Sequence, residues 1–263
     1  MNMYLYELKA YRKNTLLWTL ALIGLALLFM SMFPPIAKEI DEFRKALEGF
    51  PEGVRKALGL QVETIGSVNG YYSYTFMYIA LCGAIQAMTL GISITSKEIR
   101  EKTADFLFTK PVTRSKVLIS KLLAALTSII FTNIVYVSAA VVIANAVANE
   151  DFSLTAFLLI SLSLLVISLI MFALGTVLAV LFPKIKSVVS VSLGVVFGFF
   201  VMGMVAGLEE TGRYFSPFKY IDYAYVMKEE AYEWSFLVVG AAIIIVCLIV
   251  SFLVYKKKDI HTV

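Results

Sequence analysis

The sequence predicts an all-α integral membrane protein with six transmembrane helices, and three observations predict it. The 263 residues are 60% hydrophobic and only 16% charged, and the mean hydropathy is +0.84, outside the usual range of soluble domains. The charges are also clumped. Six windows of at least 22 residues, at 14–37, 64–96, 122–149, 152–182, 187–208 and 234–255, carry none. About 20 apolar helical residues cross a hydrocarbon core of roughly 30 Å, so each window holds one span and little chain remains for a soluble catalytic domain. Finally, the segments between windows sort by charge. Residues 1–13, 97–121, 183–186 and 256–263 carry 15 basic and 5 acidic residues, whereas 38–63, 150–151 and 209–233 carry 8 and 14. Excess Lys and Arg mark the cytoplasmic side, so both termini and the 97–121 loop are expected there. The formal charge of +4 is an orientation signal and not a nucleic-acid footprint.

The elements follow in order, as a single transmembrane domain over 1–263 without repeats or linkers. Residues 1–13 place Leu5 and Leu8 near one helical face and Glu7, Lys9 and Lys13 elsewhere. That pattern fits a short interfacial helix, and an ordinary basic flank fits it as well. The run 15–33 is too long for the apolar core of a signal peptide and lacks a small-x-small cleavage site, so it reads as an uncleaved first span. The external segment 38–63, broken around Gly49–Gly53, has room for two short helices. Tyr71, Tyr72, Tyr74 and Tyr78 open the second span, about 72–95, where an aromatic belt meets lipid head groups. The remaining spans are expected at about 118–148, 154–182, 188–208 and 235–255, with a second external segment at 209–233.

Several chemistries are missing. The charge-free windows hold no ionisable relay of the kind an ion-coupled transporter keeps inside the membrane. A lone histidine, His261, excludes an HExxH site, and no metal or catalytic residue is assigned. Cys82 and Cys247 read as buried, reduced small hydrophobes. Gln86, Asn133, Asn145, Ser161, Ser163 and Ser168 suit hydrogen bonds between helices better than catalysis. No GxxxxGK[ST] motif occurs, so energy for transport would come from an ATPase on another chain.

Such a partner needs a rigid element to push on, and the longest cytoplasmic loop is SKEIREKTADFLFTKPVTRSKVLISK, Ser96 to Lys121. Ile99, Thr103, Phe106 and Leu107 have helical spacing, so the second span can continue as an amphipathic helix to Thr109. Pro111 turns the chain, and Thr113 or Ser115 can cap the next helix. Phe106 and Leu107 would fill a partner groove, with Glu98, Glu101 and Arg114 available for ion pairs. A plain basic juxtamembrane loop would carry similar charges.

The loop resembles the ABC-2-type permeases, type V exporter-like membrane subunits of ATP-binding-cassette exporters, whose pattern is approximately ExExGTxxxLLxxPVxRxxIxxGK. Glu98, Thr103, Leu107, Pro111, Val112, Arg114, Val117 and Lys121 fall at matching positions; Arg100, Lys102 and Ser120 depart from it. The six-span layout and the SPFKYID segment, Ser216 to Asp222, extend the resemblance over nearly the whole chain. It implies a permease of a prokaryotic cell membrane that carries no cofactor itself. Two copies of a separate ATP-binding subunit would hold ATP and Mg and seat on a coupling helix at 97–113, through Glu98, Thr103, Phe106, Leu107, Pro111 and Arg114. It also implies an outer segment at 209–233 that closes the exit, with Ser216, Pro217, Tyr220 and Asp222 as gate residues. Gly194 with Gly198 and Gly203 with Gly207 form two GxxxG pairs on the fifth span. They suit either internal packing or contact with a second permease, identical or related, and the resemblance favours the latter. Phe-, Leu- and Val-rich spans suit lipid neighbours and an amphipathic or hydrophobic cargo. A mechanotransmitter that passes ATPase motion to another membrane protein has the same layout, and an ATP-independent channel or membrane binding protein is the alternative of another class.

Overall fold

The computed structural model describes residues 3–57, 63–101, 113–148, 150–182, 185–206 and 211–257. Among them there is no strand, and six helices are long and apolar enough to cross a membrane. The long helices are α1 (Met3–Ser31), α5 (Val68–Arg100), α6 (Arg114–Val147), α7 (Leu154–Leu181), α8 (Val188–Ala206) and α10 (Trp234–Lys257). Short helices α2 (Phe33–Lys38), α3 (Ile40–Glu48) and α4 (Glu52–Ala57) fill the first long connection. The last connection holds two 3-10 turns, Thr211–Phe215 and Pro217–Lys219, followed by α9 (Tyr223–Glu229). The chain's alternating connections define a basic end, where residues 3–13, the end of α5 and the start of α6 lie, and an acidic end opposite.

Helix starts follow local chemistry. Ser67, Thr113, Ser153 and Asp222 cap α5, α6, α7 and α9, each accepting from a backbone N–H two or three residues on. Thr113, one of two expected caps, accepts from Lys116 N at 3.3 Å. Pro34 and Pro35 stand in the first turn of α2, where a missing N–H costs nothing. Glu230, in the left-handed region at φ 48°, ends α9.

α5 and α7 form the centre of the bundle and make its most extensive helix contact, with α1 against α6 next and α10 against α7 following. In their most apolar stretches α5 and α7 are each 61% buried and α10 only 11%, so two helices provide the core and the others wrap it. Close approach is made by glycine. A Cβ on Gly91 would stand 2.5 Å from the Phe172 carbonyl oxygen, and one on Gly175 2.7 Å from that of Met88.

Polar groups tie the layers together. Thr19 of α1 shares a hydrogen bond with Thr132 of α6 at 3.0 Å, and Gln86 of α5 donates to the same hydroxyl at 3.2 Å. Tyr72 lies within hydrogen-bond distance of Tyr136 (2.7 Å) and Ser161 (2.8 Å), joining α5, α6 and α7. Gln86 and Ser161 thus bridge helices as expected, whereas Asn133 and Asn145 bond their own preceding turns. Both cysteines are free and half-buried.

Two local expectations are corrected. Residues 3–13 are not a separate surface helix, because α1 runs unbroken for 29 residues. No Gly or Pro interrupts it before Gly24, and Tyr4 to Thr127 (3.0 Å), Glu7 to Lys97 (2.9 Å) and Tyr11 to Ser93 (3.1 Å) hold its first turns upright on α6 and α5. Tyr71 and Tyr72 are not belt residues either. Both are buried, with Tyr71 donating to the Phe29 carbonyl and the Tyr72 ring stacked 4.1 Å from Phe157. The helical turn gives Tyr74 and Tyr78 a different, half-exposed face.

Candidate functional site

At the basic end, α5 stops at Arg100 and α6 starts at Arg114, so the expected coupling segment 97–113 begins within the last turn of α5 and ends at the cap of α6. Thr103, Phe106, Leu107 and Pro111 fall outside the described residues. Glu98 and Arg114 fall within them, and Glu98 has an ion-pair partner inside the chain. It is buried and paired with Lys121, which is itself fully buried on α6 and also donates to the Ile94 carbonyl at 2.7 Å. Beside it Glu7, 1% exposed, pairs with Lys97, and Arg100 donates to Ser93. Tyr255 of α10 packs there with Val117, Leu118 and Val180. Glu7, Lys97 and Lys121 were not singled out as site residues in the sequence. A charge-free window ends by construction at the first charge, whereas the helices run on past it.

The glycines of α8 divide. Among the described residues no heavy atom lies within 4 Å of where a Cβ on Gly194 or Gly198 would stand, so packing among them does not use these two. Gly203 is used within the chain, with its Cβ position 2.8 Å from Ser216 Oγ, and this takes it off the open face. Gly207 lies outside the described residues. The open face continues through Val189, Leu193, Phe197, Val201 and Val205, all exposed.

At the acidic end, residues 211–233 are pinned to three long helices. Ser216, fully buried, donates to the Phe199 carbonyl at 2.7 Å, and Phe218 meets Phe200 edge-on at 5.5 Å, both on α8. Arg213 grips Glu233 with both guanidinium nitrogens, donates to the Lys219 carbonyl, and lies 4.1 Å over the Phe236 ring of α10. Tyr232 donates to the Leu159 carbonyl of α7. Each expected gate residue has a place in this structure: Pro217 opens a 3-10 turn, Tyr220 donates to the Tyr214 carbonyl at 3.1 Å, and Asp222 caps α9. Burial lowers the Lys219 ammonium pKa, against the pull of Asp222, with Arg213 lowering it further. Burial also pushes the Tyr223 hydroxyl up to about 12.

A cavity of about 480 Å³ at the acidic end is lined by Lys38, Arg44, Asn69, Glu150, Asp151 and Ser153, among others. In mid-bundle, the void among Leu22, Gln86, Asn133 and Ser168 is too small for a water molecule. Among the described residues no group of three or more His, Cys, Asp or Glu is placed to hold a metal ion.

A family model described as multidrug efflux system permease Rv1217c, C-terminal domain, matches residues 7–256. A search of curated proteins finds no match. The match covers all six apolar helices but for the first four residues of α1 and the last residue of α10, and the chain therefore belongs to this family of multidrug efflux permeases.

Proposed function

We propose that this chain is the transmembrane permease subunit of an ATP-driven exporter of the ABC-2 type, moving amphipathic or hydrophobic compounds out across a prokaryotic cell membrane. The observation that carries the reading is the efflux-permease match over 7–256, set beside a sequence without a P-loop. A permease that moves cargo against a gradient draws on an energy source, and a separate ATPase, two copies with ATP and Mg, supplies it. Residues 97–113, from the last turn of α5 to the cap of α6, are the seat for that ATPase, with both termini in the cytoplasm. A second permease copy, identical or related, stands beside this one. The open face of α8, with Gly194 and Gly198, is the surface such a partner would meet. Residues 211–233 then lie on the outer side, where Arg213, Ser216 and Tyr220 hold the exit segment against α8 and α10.

The test is purification of the tagged full chain from its native membrane, followed by assay in vesicles. An ATP-binding-cassette ATPase should copurify, and ATP should drive movement of amphipathic dyes. Truncating Phe106 and Leu107 to Ala should release the ATPase, since apolar surface is worth about 25 cal/mol per Å² when buried against a partner. ATP turnover with a second membrane protein bound and no dye moved would mark a mechanotransmitter. Absence of any ATPase would overturn the exporter reading.

A further inference from the structure

The basic end of α5 is held from two sides by consecutive residues of opposite charge. Lys97 reaches Glu7 of α1 at 2.9 Å, and Glu98 reaches Lys121 of α6. Neighbours in sequence stand about 100° apart around a helix, so the two pairs clasp different faces. Lys121 is the more committed partner. Its whole side chain is enclosed, and its ammonium bonds two successive turns of α5, at the Ile94 carbonyl oxygen and the Glu98 carboxylate. The four charges sum to zero, so removal of any one leaves a net charge in a buried place.

Buried ion pairs contribute little net stability compared with well-packed apolar side chains, and their distinctive contribution is directional. Val117, Leu118, Ala124 and Ala125 already pack α6 against its neighbours on either side of Lys121. Apolar contact is non-directional and permits two helices to slide. A three-donor ammonium bonded to two named acceptors does not. It fixes both axial register and separation two turns inside the root of the 101–113 loop.

The geometry points to Lys121 as a positioning residue whose clamp on Ile94 and Glu98, together with Glu7–Lys97, makes α1, α5 and α6 one unit. A displacement of the 101–113 loop then moves the far ends of these helices instead of opening the root of the loop. This rests on the reading of the loop as the ATPase seat.

The experiment uses the full chain with its copurified ATPase in lipid nanodiscs, carrying one of two spin-label pairs. Glu101 with Lys116 reports the root of the loop, and Val142 with Val238 reports α6 against α10 at the far end; all four positions are exposed. In the unaltered clamp ATP should change the far-end distance and leave the root distance constant. In Lys121→Met, ATP turnover should persist, the root should open with ATP, and the far-end change should be lost. Lys121→Arg, which keeps charge and donors, should retain the far-end change. If Lys121→Met fails to accumulate as a monodisperse complex, the near-isosteric Glu7→Gln, which lies outside 97–113 and breaks the companion pair to Lys97, carries the same comparison. A full far-end change in the charge-removed variant at normal ATP turnover overturns the clamp alone. Failure of the unaltered chain to retain any ATPase overturns the seat reading and the clamp with it.

Discussion

Two glycine-bearing surfaces of this bundle behave in opposite ways. Where α5 meets α7, Gly91 and Gly175 admit backbone carbonyl oxygens to positions that a Cβ would crowd at 2.5 and 2.7 Å. On α8, Gly194 and Gly198 admit nothing within 4 Å. The α8 pair has the recognised four-residue spacing, whereas Gly91 and Gly175 sit without such partners, eight residues or more from the nearest glycine of their own helices. Spacing alone therefore does not say whether a glycine is occupied. A small residue creates a groove, and only the neighbour decides whether the groove is filled from within the chain.

The largest expected effect lies at the filled groove. Gly91→Leu or Gly175→Leu places a branched side chain against backbone that has no rotamer to yield, and costs above about 3 kcal/mol, the upper range of overpacking. The variant should fail to give a monodisperse species in detergent; a normal elution profile and Tm would show that α5 and α7 can separate. Next comes Tyr72→Phe, which removes the hydroxyl shared with Tyr136 and Ser161 in the same seam. It should cost about 1–2 kcal/mol as those buried groups lose a partner, read as a lowered Tm.

Gly203→Ala tests the intermediate case, in which the groove is filled by a side chain. Ser216 must swing from 2.8 Å and strain its bond to Phe199, so about 1 kcal/mol is expected, together with faster amide exchange in residues 211–219. The smallest effect on a single chain belongs to Gly198→Leu, within about 0.5 kcal/mol as at other open positions. Its consequence should appear between chains, as weaker crosslinking of two copies. A stability loss like that of Gly203→Ala would show that something within the chain covers this face.

The spans were legible because charges and apolar residues sort on the scale of a bilayer, which local patterning reports directly. Thr113 was legible because a cap is chemistry between near neighbours. Glu7, Lys97 and Lys121 were not, since nothing local distinguishes a Lys paired inside a bundle from one that marks the cytoplasmic face. Glu98 was singled out for an ion pair without its intrachain partner, which lies 23 residues away on α6. Tyr71 and Tyr72 were misplaced for a related reason. An aromatic run at a span's start suits lipid head groups and a buried hydroxyl network equally, and the presence of Tyr136 and Ser161 on other helices decides between them. The continuity of α1 was hidden because Leu5 and Leu8 mark an apolar face without saying whether lipid or protein covers it.

The lengths of the long helices carry a mechanical consequence. α5 and α6 contain 33 and 34 residues, rods of about 50 Å, whereas the 19 residues of α8 reach about 28 Å. A hydrocarbon core of roughly 30 Å leaves these 19 residues no length to spare. The longer rods tilt or protrude by about 20 Å, and a rod that protrudes from a slab is a lever pivoted at the surface. Its short outer arm and long inner arm amplify displacement, so a shift of a few ångströms at the basic end becomes a larger sweep at the other, past a neighbour too short to follow.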